Sequence, residues 1–170
     1  MNLEYKHLLP REFNDNSRVW IYQSNRPFNN DEILQIQDLL NDFVLSWKSH
    51  GTPVQGYANI FFSQFIILMA DEEATGVSGC SIDSSVHVMQ QIEKQFHVDM
   101  FNWQSLAFIV SGKVEIVSRQ EFNHALENNI ITTETLFFNN VVTTRKELED
   151  KWLIPVEKSW LKTKIKTTIS

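Results

Sequence analysis

Apolar positions along this chain fall into two alternating spacings, and the switches between them mark its elements. Arg18-Val19-Trp20-Ile21-Tyr22-Gln23-Ser24 is dense in β-branched and aromatic residues and predicts a strand. After the turn-forming Asn25-Arg26-Pro27, helical spacing takes over at Ile33, Ile36, Leu39, Leu40, Phe43, Val44 and Trp47. Asn30 or Asp31 is placed to cap that helix, with Gly51 and Pro53 placed to stop it. Val54 to Phe62 and Phe65 to Ala70 predict a hairpin bending near Ser63-Gln64. A second long helix carries Ile82, Val86, Met89, Ile92 and Phe96 as its apolar stripe.

Leu106 to Val110 and Val114 to Val117 predict another hairpin about Ser111-Gly112-Lys113. The later signals are shorter. Ser118 and Glu121 form a capping box for a helix from Gln120 to Glu127, Thr135 to Phe138 predicts a strand, and Thr144-Arg145-Lys146-Glu147 opens a helix towards Trp152. From Trp160 onwards, Lys162, Lys164 and Lys166 interleave with Ile165 and Ile169, the pattern of a lysine-protected edge strand.

The first six elements spell β-α-β-β-α-β. That order predicts an α+β, ferredoxin-like core over about residues 18–118. An extra strand hairpin and C-terminal helical and strand additions, over about 119–170, complete a single globular domain.

Composition narrows the class. At 42% hydrophobic and 21% charged, the chain has enough apolar side chain to fold as a packed globule. Its one cysteine excludes an intrachain disulfide and suits a reducing compartment. The start has no apolar run of signal-peptide length, and the longest one, Phe65 to Ala70, is far below the ~20 residues of a membrane helix. The expectation is a soluble cytoplasmic protein without a membrane partner.

A net charge of −6 argues against a nucleic-acid partner, because phosphate binding needs surplus Lys and Arg. Trp20 and Tyr22 share a strand face, but the basic-glycine-aromatic signature of an RNA-stacking sheet is missing. Those rings are expected to pack beneath the C-terminal additions.

Candidate chemistry centres on Cys80, in Ser78-Gly79-Cys80-Ser81-Ile82-Asp83-Ser84-Ser85. A thiol at a helix N-terminus feels the positive end of the backbone dipole and ionises more readily. With Ser81 as the cap, Asp83 would lie in the first turn and oppose that effect. Connectivity brings His50, Asp71, Cys80, Asp83 and Lys113 to one end of a β-α-β-β-α-β sheet. Cys80 is then the candidate nucleophile, His50 its base, and Asp71 or Asp83 the orienting acid. His87 stands two turns from Cys80, about 10 Å away and out of reach.

The same polar run offers an anion cradle from Ser78, Gly79, Ser81 and Ser84, with Lys113 as counter-charge. Metal binding finds no support: the five histidines show no His-Glu-x-x-His spacing and no cysteine cluster accompanies them. No cofactor motif is present. For each of these residues the plainer alternative is a packed thiol, a helix-end histidine or a solvated acid.

Three segments carry a resemblance: Trp20-Ile21-Tyr22-Gln23-Ser24-Asn25-Arg26, Trp47-Lys48-Ser49-His50-Gly51 and Ser78-Gly79-Cys80-Ser81-Ile82-Asp83. Together they resemble a family of short uncharacterised bacterial proteins, some of which carry the label "ABC transporter ATPase". The residues do not support that label. The only Gly-Lys pair, Gly112-Lys113, is followed by Val114, so the P-loop is missing, as is Leu-Ser-Gly-Gly-Gln.

Two functions remain as expectations. One is a binding or interaction module with a protein or small-molecule partner, self-association included. The other is a thiol-dependent enzyme or anion site at Cys80.

Overall fold

A computed structural model describes residues 2–71 and 79–165, with backbone only for 79–81. The chain divides into two compact units, Glu4–Asn102 with Thr143–Leu148, and Trp103–Val142 with the segment from Glu149. The mixed α+β character is shown in both.

In the first unit, β1 (Arg18–Gln23) leads into α1 (Asn30–Ser46). Asn29 caps α1: its side chain accepts from the Glu32 N–H, and the Glu32 carboxylate accepts from the Asn29 N–H. The cap thus lies one residue before the two expected positions. α1 also ends earlier than expected. Trp47 leaves the helix in an extended conformation so that its indole can be buried, only 2% exposed.

Two short strands follow, β2 (Lys48–Ser49) and β3 (Thr52–Pro53), joined by His50-Gly51. Both linking residues have positive φ, 49° and 82°, as a two-residue hairpin turn requires. Gly51 therefore turns a hairpin rather than stopping a helix.

β4 (Gln55–Phe61) and β5 (Phe65–Asp71) form the expected hairpin, and α2 (Gly79–Phe96) completes the unit. The sheet order is β1-β5-β4, all antiparallel neighbours. All seven residues of the central β5 are buried, so both faces of the sheet are covered. Ile66 and Leu68 face α1 and α2, packing with Ile36, Leu40, Met89, Ile92 and Phe96. Trp20 and Tyr22 lie on this same face, beneath the two helices rather than beneath C-terminal additions. Gly56 is needed here: a Cβ at that position would sit 2.7 Å from the Trp47 ring.

The opposite face is covered by an N-terminal arm. The Tyr57 hydroxyl donates to the Leu8 carbonyl and the Tyr5 hydroxyl to that of Leu148, both at 2.7 Å, while Phe13 meets Tyr57 edge-on. Along β4, the Ile60 N–H donates to the Asn59 side-chain oxygen at 2.8 Å.

Three of the four expected core strands are thus present, in the expected order along the chain. The fourth, expected over Leu106 to Val110, is placed elsewhere. At the outer edge of β1, Arg18 bridges Thr144 and the Val19 N–H donates to the Thr143 carbonyl at 2.9 Å.

In the second unit, β6 (Ser105–Val110) pairs with β7 (Lys113–Ser118) across a Ser111-Gly112 turn, both residues again at positive φ. α3 (Phe122–Glu127) and β8 (Leu136–Phe138) follow. α4 (Arg145–Lys151), which begins in the first unit, leads to β9 (Leu153–Pro155). The antiparallel order is β7-β6-β8-β9 over a core of Leu106, Phe108, Phe122, Phe137, Val156 and Leu161. Trp160–Lys164 forms a 3-10 helix instead of an edge strand, because the Ser159 hydroxyl caps Leu161 and the Leu161 side chain is fully buried.

Candidate functional site

The chain direction through the first unit sets what gathers at each end. β5 runs antiparallel to β1, so Asp71 finishes beside Arg18, the residue at which β1 starts. α1 ends at that pole, and α2, which starts after β5, packs against β2. His50 is exposed at the tip of the neighbouring β2–β3 turn. Cys80 is the second residue of α2; its side chain, like that of Ser81, lies outside the described residues, as does all of Ser78. Because the helix starts at Gly79, Asp83 falls beyond its first turn, exposed, and is not the first-turn acid expected with a Ser81 cap. Ser84 is exposed as well.

Asp71 shares this pole but not this face. Side chains alternate along a strand, and Ala70, on the helix side, packs with Trp47. Asp71 therefore turns to the arm side, where its buried carboxylate accepts from the Asn14 N–H at 3.4 Å. Lys113 belongs to the second unit, exposed at the start of β7. Of the two acids expected beside the thiol, Asp83 alone shares the helix that carries Cys80.

Within α2, the buried Ser85 hydroxyl donates to the Ile82 carbonyl at 2.6 Å. Burial raises the Tyr22 phenol pKa, and the Ser85 hydroxyl partly offsets it.

At the other pole, Arg26 forks onto both oxygens of Glu32 at 2.8 Å and also donates to the Phe96 carbonyl at 2.6 Å. The start of α1 is thereby tied to the end of α2. The Arg26 hydrogen bonds pull the Glu32 carboxyl down to about 2.

Between these poles, the outer surfaces of α1 and α2 enclose an open groove of about 270 Å³. Leu39, Phe43 and Val88 give it an apolar floor, and Asp42, Ser46, His87 and Gln91 line it as polar groups. Further round α1, on its outer face, Leu34 is 67% exposed and Leu45 85%. Eleven residues apart, they stand three helical turns from each other on one face, about 16 Å along the axis.

Sequence reasoning missed this surface, although a signal existed. Leu34 and Leu45 fall outside the apolar stripe that orients α1, so each is a large aliphatic group on a face that packing leaves to water. Among the described residues, no group of three or more His, Cys, Asp and Glu is arranged to hold a metal ion, and no helix is long and apolar enough to cross a membrane. No family model, no curated protein and no solved structure matches the chain.

Proposed function

We propose that this chain is a binding module whose working surface is the outer face of α1 and the α1–α2 groove. One observation carries the reading: two leucines, 67% and 85% exposed, stand in one row on the outer face of α1, the helix that also supplies Leu39 and Phe43 to the apolar floor of the groove. Exposed aliphatic residues grouped around a concavity mark interaction sites. The single cysteine supports a reducing, cytoplasmic setting for the module.

The double variant Leu34→Ser, Leu45→Ser tests this directly. It should melt within about 4 °C of the parent, since each solvent-facing position contributes no more than about 0.5 kcal/mol to stability. The parent should bind an environment-sensitive apolar dye, and the variant should lose most of that signal. Equal dye binding by both proteins, or none by the parent, would refute the reading.

A second reading, thiol chemistry at Cys80, is favoured by the position of that residue in the first turn of α2. The rate of alkylation against pH separates the two. A midpoint below about 7 with fast modification supports a reactive thiolate; one at or above about 8.5 with slow modification leaves a structural thiol.

A further inference from the structure

The charge pattern of α1 narrows what the groove accepts. Four acids lie on this helix, Asp31, Glu32, Asp38 and Asp42, and it contains no Lys or Arg. Glu32 is engaged by Arg26. The other three repeat at i, i+7 and i+11, which places them in one row along the helix. Asp42 lines the groove itself, and Leu34 and Leu45 flank the same row. The α2 wall contributes His87, Val88 and Gln91 and no carboxylate. The groove therefore has an apolar floor and one carboxylate, Asp42, on its α1 wall, with Asp38 and Asp31 further out along the same row of the helix, while its α2 wall carries no carboxylate.

Resting on the binding-module reading, we infer that this groove docks a cationic amphipathic helix from a partner protein. Aliphatic side chains at i, i+4 and i+7 of such a helix would lie over Leu39, Phe43 and Val88. Lysine or arginine on one flank would meet the carboxylates of Asp38 and Asp42. This is helix-in-groove recognition, with the floor giving affinity and the row of acids fixing orientation and on-rate. An anionic or uncharged helix would satisfy the floor and leave the row of acids without partners.

The probe is an 18-residue labelled peptide with leucine on one helical face and lysine on the other, compared with a counterpart bearing glutamate for lysine. Fluorescence anisotropy with the full chain should give binding of the lysine peptide at least about tenfold tighter than its counterpart, weakening as salt rises. Asp38→Lys with Asp42→Lys should cost about tenfold or more. Glu115→Lys with Glu134→Lys, an equal charge change in the second unit, should change affinity by no more than about twofold.

Equal losses from both pairs of variants would overturn the proposal as mere attraction to an acidic protein, and equal binding of the two peptides would overturn it as purely apolar. If neither peptide binds while the dye still separates parent from the Leu34, Leu45 variant, the cationic-helix assignment fails and the module reading stands.

Discussion

The two covers of the first sheet are built on opposite terms. On one face α1 and α2 supply regular apolar stripes, and their packing depends on shape: Trp47 fits because Gly56 has no side chain. On the other face an irregular arm covers the sheet, held at named points by Tyr5, Tyr57 and Asn14 hydrogen bonds. The arm keeps Tyr5, Leu9 and Phe13 buried and leaves Leu8 40% exposed, whereas the helical cover leaves Leu34 and Leu45 further out in solvent, at 67% and 85%.

The contrast can be broken from either side. Gly56→Ala should have the largest effect, destabilising the protein by about 1–3 kcal/mol, because the new methyl meets an immobile buried indole. Chemical denaturation would measure it, and a neutral result would mean that the helical cover yields easily. Tyr5→Phe should cost about 1–2 kcal/mol, since it leaves the buried Leu148 carbonyl without this donor. An unchanged midpoint would demote the hydroxyl to an incidental contact.

Smaller again is the Arg26–Glu32 clamp, worth about 1 kcal/mol at neutral pH because Arg26 is partly exposed. Its pH dependence is the sharper readout. The folded Glu32 carboxyl is held at about 2 against an ordinary 4.5, so its stabilisation is complete above about pH 4.5 and is lost as pH falls towards 2. Glu32→Gln should narrow the gap to the parent over that window and no other. A gap constant from pH 7 to pH 2.5 would contradict the clamp.

Much of the first unit was legible in its periodicity: β1, α1, the β4–β5 hairpin and α2 all lie where the apolar spacing puts them. The fate of the fourth strand was not legible. It depends on Thr143 and Thr144, more than a hundred residues along the chain, lying at the edge of β1, and local spacing carries no trace of such a contact. The turn of Asp71 was hidden for a related reason. In a strand buried on both faces, apolar residues fill odd and even positions alike, so the sequence gives no parity to orient its last residue. The outer face of α1 was half visible, because Leu34 and Leu45 lie off the stripe, but the groove depends on how two helices far apart in sequence meet.

Asn59 has a consequence for assembly. By occupying the Ile60 amide, its side chain breaks the row of donors that an incoming strand would need along β4. Growth by templated sheet extension is blocked at that point, so copies of this chain are steered away from fibre-like stacking.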